Sequence, residues 1–150
     1  MKVESGKWKV ESGEWKVENV SQQLTTFNFQ LSIKMVQEKS LAFAIRIVKL
    51  YKHLTEHKKE YVLSKQLLRS GTAIGALVKE AEHAQSKADF LNKMNIALKE
   101  ANETLYWLIL MKETQYLKED EFKSVYANAE ELLKMWASIV KTTKIKLNKQ

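Results

Sequence analysis

The sequence predicts an all-α fold: an antiparallel up-down-up-down four-helix bundle behind a low-complexity N-terminal extension. Three observations predict it. The 150 residues contain no proline and only four glycines, too few turn-formers for a strand-and-loop architecture. From Glu38 onward, apolar residues recur every three or four positions over four successive stretches, the spacing of one helix face. Short polar segments with helix-start and helix-end chemistry divide those stretches. A chain of this length, 45% hydrophobic, can bury one real core.

Residues 1–37 form the extension and 38–150 the bundle domain. The extension opens with a seven-residue repeat, KVESGKW at 2–8 and KVESGEW at 9–15, decaying to KVENVSQ at 16–22. A heptad suggests a coiled coil, but large apolar residues are sparse and Ser-Gly interrupts the repeat. Trp8 and Val10, then Trp15 and Val17 beyond Ser12-Gly13, read better as two short strands about a turn. In TTFNFQLSIKMV (25–36), Phe27, Phe29, Leu31, Ile33 and Met35 alternate with polar residues, which makes a candidate strand. An isolated hairpin is marginal in water. The extension is therefore expected to be disordered, fleetingly β, or paired with a partner chain. In a competing expectation, residues 1–34 lie outside the working protein and translation starts at Met35.

The first predicted helix carries two apolar stripes. Leu41, Ala44, Ile45, Val48 and Tyr51 form one; Phe43, Ile47, Leu50 and Leu54 form the other. So wide an arc suits contact with two neighbours, one of them in another subunit. It fades at His57-Lys58-Lys59. The second helix spans Glu60–Ala84, with Leu63, Leu67, Ile74, Val78 and Ala81 on one face. Gly71 and Gly75 sit mid-helix, where each costs about 1 kcal/mol against alanine; close approach of another backbone is the expected compensation. Ser86 and Asp89 form a capping arrangement for the third helix. Phe90, Met94, Ala97, Leu98, Ala101, Leu105 and Leu108 line its inner side, and it ends near 114–118. Glu119, Asp120 and Glu121 open the fourth helix, where the macrodipole favours acids. Its face is Phe122, Val125, Ala129, Leu132, Leu133, Trp136, Ile139 and Val140, with lysines at its end.

Composition excludes several functions. With no cysteine, disulfides, thiolate metal sites and a cysteine nucleophile are out. The longest strongly apolar run, Leu105–Met111, has seven residues, far short of a membrane span. The N-terminus lacks the apolar core of a signal peptide, and the cytoplasm is the expected compartment. The net charge of +7 is unevenly placed: five lysines against four glutamates in 1–37, but 20 basic against 14 acidic residues in 38–150. A positive excess favours polyanions, nucleic acid before anionic membrane. The candidate phosphate contacts are Lys49, Lys52, Lys58, Lys59, Lys65, Arg69, Lys141, Lys144, Lys146 and Lys149. Such contacts are sequence-independent. A solvated lysine-rich surface explains the same charge without a ligand.

His53-Leu54-Thr55-Glu56-His57 matches the inverted zinc-protease motif. It is short, sits at a helix end and lacks a distant third ligand, so solvated histidines are the better reading. Arg46 and His53, two turns apart on one face, have a spacing seen in helical-bundle ribonucleases; a single spacing is weak support. Glu80 and His83 give one Glu-x-x-His pair, whereas a di-metal bundle needs two. No metal, cofactor or small-molecule substrate is expected. Tyr106, Trp107 and Trp136 could stack bases, but aromatics at helical spacing more often pack; Tyr106 is the one expected to be exposed.

QLLRSGTAIGALVKEAEHA (66–84), then KADFLNKMNIALKEANETLYWL (87–108), resembles the signature of the bacterial 23S rRNA intervening-sequence family. AFAIRIVKLYKHL (42–54) and the last helix fit it too, over about 38–145. The resemblance implies a small antiparallel four-helix bundle that forms ring-like homopentamers, with no enzymatic activity. Its relatives include accessory proteins of diversity-generating retroelements, basic rings that bind nucleic acid and a reverse transcriptase. RNA or DNA is thus the implied partner, beside other copies of the chain. The signature's arginine and glutamates match Arg69, Glu80, Glu100 and Glu103, and Ser70 lies among them. These are expected to form a polar cluster with a structural role, at a subunit interface or ring lumen. Gly71 and Gly75 are expected to serve close packing. A protein-assembly module without a nucleic-acid role is the alternative reading.

Overall fold

The computed structural model describes residues 10–11, 14–15 and 18–148, with side chains from Thr25 to Asn148. The chain divides into two compact units, 1–34 and 35–150. In the first, β1 (Val10–Glu11) pairs antiparallel with β2 (Glu14–Trp15), Val10 opposite Trp15. Trp8 and Val17 lie outside the described residues.

Helix α1 runs Glu18–Glu56, which corrects the strand expected at 25–36. The physical reason lies in the pattern itself. A two-residue alternation also contains Phe27, Leu31 and Met35 at i, i+4 and i+8, which share a helix face. No glycine or proline lies between 18 and 56 to stop a helix that has started. Ser32 fits it by donating to the Asn28 carbonyl one turn back, at 2.9 Å. Phe27 and Leu31 stay exposed.

The second unit is built from the rest of α1, α2 (Leu63–Ala81), α3 (Lys87–Glu113) and α4 (Glu119–Asn148). Each helix meets the next in chain order, and α4 closes back on α1. Ile47 lies against Gly71 and Ser40 against Gly75, while Gln37 donates to Glu82 at 2.7 Å. Rising numbers on α2 thus meet falling numbers on α1, as antiparallel helices require. His53 near Glu121, Arg46 with Ser124 and Asn128, and Lys39 with Glu131 show the same reversal between α1 and α4.

Val36, Phe43, Ile47 and Leu54 of α1 fill the core with Leu67, Ile74, Met94, Leu108, Leu132 and Trp136, among others. One of the two predicted α1 stripes therefore faces inward. The other does not: Leu41 is 62% exposed, Ile45 50% and Val48 37%.

Caps set the boundaries. Ser86 accepts the Asp89 N–H at 3.0 Å, and Asp89 accepts the Gln85 N–H at 3.1 Å, a reciprocal cap as expected. Glu121 accepts the Lys118 N–H at 2.9 Å in front of α4. Helix α2 is shorter than the predicted 60–84. Glu60 lies outside it and caps it. The buried carboxylate accepts the N–H groups of Val62, Leu63 and Ser64 at 3.0, 2.8 and 2.6 Å. These are the orphan donors of a helix start. Burial alone would raise the Glu60 carboxyl. The Leu63 and Ser64 N–H groups, the Ser64 hydroxyl and the Val62 N–H outweigh it and hold the carboxyl below the ordinary glutamate range.

Candidate functional site

Two features outside the core carry chemistry: a polar seam between α2 and α3, and an exposed surface on α1 and α2. The seam starts at Ser70 and Thr104, two buried hydroxyls 3.0 Å apart in a hydrogen bond that crosses the helices. The Thr104 hydroxyl also lies 2.7 Å from the Glu100 carbonyl, its i−4 neighbour. Toward solvent, Arg69 pairs with Glu103 at 3.2 Å. Glu103 also accepts the indole N–H of Trp107 at 3.0 Å. Glu100 completes the group. Its Oε2 is buried with no hydrogen-bond partner among the described residues. Burial, then repulsion from Glu103, pushes its carboxyl above the ordinary range; Arg69 pulls the other way.

The structure thus gathers Arg69, Ser70, Glu100 and Glu103 of the predicted cluster. It does not bring Glu80 there, which corrects that part of the expectation. Glu80 is exposed near the end of α2, ten residues beyond Ser70 and so about 15 Å along the axis. Sequence reasoning missed Thr104 and the Trp107 indole. The legible signal was their place on the Glu100 face, at i+4 from Glu100 and from Glu103 respectively. No group in the seam activates a hydroxyl: the Thr104 oxygen is engaged by Ser70 and a main-chain carbonyl. The seam joins two helices and exposes an arginine.

Gly71 and Gly75 differ. A Cβ at Gly71 would lie 2.9 Å from Ile47 Cγ1 and 3.1 Å from its Cγ2. At Gly75 it would lie 3.5 Å from the Ser40 carbonyl oxygen, ordinary contact. Close packing that only glycine satisfies is therefore found at Gly71, while Gly75 has room for a methyl group. Beside Gly75 a groove of about 480 Å³ opens between α1 and α2, with Leu41, Ala44, Ala76 and Val78 in its lining and Glu38 and Lys79 among its polar residues.

The basic candidates fall into three sets. Lys49, Lys52, Lys58, Lys59, Lys65, Lys141 and Lys144 are exposed and make no ion pair among the described residues. Arg69 is committed to Glu103, and Lys146 is half-buried and engaged. Lys149 lies outside the described residues. Many other charges cancel locally: Lys79 with Glu82, Lys93 with Asp89, Lys112 and Lys123 with Glu119, Lys134 with Glu130. Lys93 and the Gln85 N–H lower the Asp89 carboxyl, and Glu119 raises the Lys112 ammonium.

His53 and His57 stack at 5.0 Å between ring centres, and His53 Nε2 lies 3.9 Å from Glu121. No group of three or more metal-ligating His, Cys, Asp or Glu side chains occurs among the described residues. Arg46 binds the Ser124 carbonyl at 3.1 Å, the Ser124 hydroxyl and the Asn128 side chain, so its guanidinium ties α1 to α4. Trp136 is buried in the core, Tyr106 is 57% exposed, and Trp107 lies between these extremes. Among the described residues, no helix is long and apolar enough to cross a membrane.

No curated protein matches the chain. A crystal structure of a protein of unknown function, of the S23 ribosomal protein family from Bacteroides thetaiotaomicron, is similar to it. The two share 55% identity and a TM-score of 0.72 over 73% of this chain and 98% of the other. The family model described as 23S rRNA-intervening sequence protein matches residues 34–138. That span takes in the seam, the Gly71 contact and most of all four helices, and the chain belongs to this family.

Proposed function

We propose that the protein is a non-enzymatic, self-associating four-helix bundle of the cytoplasm that binds nucleic acid, or a nucleoprotein partner, through its basic surface. One observation carries the reading. The lysines at 49, 52, 58, 59, 65, 141 and 144 are exposed without ion pairs, whereas most surface carboxylates are already paired. Unpaired ammonium groups release counterions when they meet phosphates, so affinity falls steeply with salt. The test is fluorescence anisotropy with mixed-sequence RNA and DNA over a potassium chloride series. Binding at low salt that weakens linearly on a log–log plot is expected. No retention of either nucleic acid at low salt would refute the proposal.

A second reading, an assembly module without a nucleic-acid role, is favoured by the exposed Leu41, Ile45 and Val48 on α1. Apolar patches that persist on a folded surface mark interaction sites. Self-association is common to both readings, with a homopentamer as the expected form. Light scattering tests it, and a monomeric mass removes the ring. A ribonuclease is disfavoured because Arg46 is held by Ser124 and Asn128. RNA cleavage lost on His53→Ala would reinstate it.

A further inference from the structure

The loop at 57–62 joins α1 to α2, and its backbone is pinned from both sides. The His57 N–H donates to the His53 carbonyl at 3.0 Å, and the Glu60 N–H to the Leu54 carbonyl at 3.1 Å. Lys59 takes a left-handed conformation, φ 55°, which turns the chain. The buried Glu60 carboxylate then holds the N–H groups of Val62, Leu63 and Ser64. Between these fixed points Tyr61 is 56% exposed and Val62 72%. A large aromatic side chain on a rigid loop is thus turned outward, contributing little to the core.

Charge along the loop and the first turns of α2 is one-sided. Lys58, Lys59 and Lys65 are exposed and make no ion pair among the described residues. Glu60 is the single acid between 57 and 79, and its charge is consumed under the start of α2. Glu56, one residue before this stretch, and Asp120, at the start of α4 on the same end of the bundle, are exposed carboxylates without an ion pair among the described residues.

We infer that this loop is a binding site for single-stranded nucleic acid, with Tyr61 as a stacking platform for one base and Lys58, Lys59 and Lys65 on the adjoining phosphates. The inference rests on the nucleic-acid reading above and deepens it. A π-face accepts any base, which gives tolerance of sequence. In a duplex the base faces are covered by their neighbours, so Tyr61 selects the unpaired strand. The pinned backbone means little ordering is needed on binding.

The test uses the full chain with fluorescein-labelled oligouridylate, oligothymidylate and a mixed-sequence duplex, read by anisotropy across a salt series. Tyr61→Ala is expected to weaken single-strand binding roughly 5- to 150-fold, the range of one stacked base. The salt slope should hold, and duplex affinity should not change. Tyr61→Phe keeps the aromatic face and should bind as the parent does. Lys58→Gln should lower the slope by about 0.7 for one phosphate on a single strand. Circular dichroism and light scattering accompany each variant. If the parent binds single strands and Tyr61→Ala binds them equally well, the site is overturned while the basic-surface reading stands. If the parent binds no nucleic acid, both fall. If Tyr61→Ala changes the assembled mass instead, the loop is a contact between copies and the site is overturned.

Discussion

Alanine at Gly71 and at Gly75 should move stability in opposite directions, although the two substitutions are chemically identical and one helical turn apart. In a helix interior, glycine to alanine is worth up to about 1 kcal/mol in favour of the fold. At Gly75 nothing opposes that gain, because the new methyl would sit 3.5 Å from the Ser40 oxygen and 3.8 Å from its Cβ. At Gly71 the methyl would lie 2.9 and 3.1 Å from the two γ-carbons of Ile47, a residue with no exposed surface. Those carbons are attached to a β-branched centre, so they cannot swing away by a rotamer change at low cost. Overpacking of this kind costs typically about 1–3 kcal/mol. Net stabilisation of about 0.5–1 kcal/mol is expected for Gly75→Ala, and net destabilisation of up to about 2 kcal/mol for Gly71→Ala. In a chain of this size each kcal/mol moves Tm by about 2–4 °C. Thermal unfolding followed by circular dichroism reads this, at one fixed protein concentration because the proposed self-association would shift Tm. If Gly71→Ala stabilised as much as Gly75→Ala, the α1–α2 contact as described would be wrong.

Six other substitutions probe the remaining contacts. Glu60→Ala strips three N–H groups of their acceptor and should cost about 2 kcal/mol in urea unfolding. The Glu60 carboxyl is lowered in the fold, so its contribution is present above the ordinary glutamate pKa of about 4.3 and fades as pH falls through the lower folded value. Glu100 has the opposite sign, because its carboxyl is raised. Its favourable contribution is present below the ordinary pKa and is lost as pH rises through the folded one. Glu100→Gln should therefore raise Tm by roughly 1–2 °C at neutral pH, a small gain because solvent screens a half-buried carboxylate. That gain should vanish near pH 4. Ser70→Ala and Thr104→Val should each cost about 1 kcal/mol, and the double variant less than the sum, since one hydrogen bond is lost in all three. Leu41→Glu with Ile45→Glu should leave the circular dichroism spectrum intact and lower the light-scattering mass; an unchanged mass removes this face from the assembly.

Much of the bundle was legible because its caps and stripes are local. Ser86 with Asp89, the acids at 119–121, and the faces of α3 and α4 need no knowledge of a neighbour. The strand expected at 25–36 failed because a two-residue period contains a four-residue one, and nothing in the segment breaks a helix. Glu60 was misplaced for a related reason: propensity alone does not distinguish a glutamate inside a first turn from one reaching forward to cap it. Non-local facts were out of reach. Ser70 and Thr104 are 34 residues apart, and a hydroxyl on a helix face does not announce its partner. Charge counting gave the sign of the surface but not its geography, since it cannot tell Lys79, neutralised by Glu82, from Lys65, which is not.

The two stripes of α1 connect the proposed assembly to the proposed binding. Phe43, Ile47 and Leu54 are fully used by the core, whereas Leu41, Ile45 and Val48 contribute only in part to the isolated bundle. Full burial of a side chain of that size is worth roughly 1.5–3 kcal/mol, and their present exposure withholds a good part of it. An interface with a second copy would recover it. Lys49 and Lys52 continue the same helix one to two turns further on, and the loop at 57–62 follows directly. Copies associating through the first part of this face would carry their lysines along the edge of the contact, repeated once per subunit. A polyanion long enough to touch several subunits would then bind by linked weak contacts, each raising the effective concentration for the next. On this argument the modest basicity of one chain is no obstacle to tight binding. Affinity should depend on strand length far more steeply in the assembled protein than in the Leu41→Glu, Ile45→Glu variant.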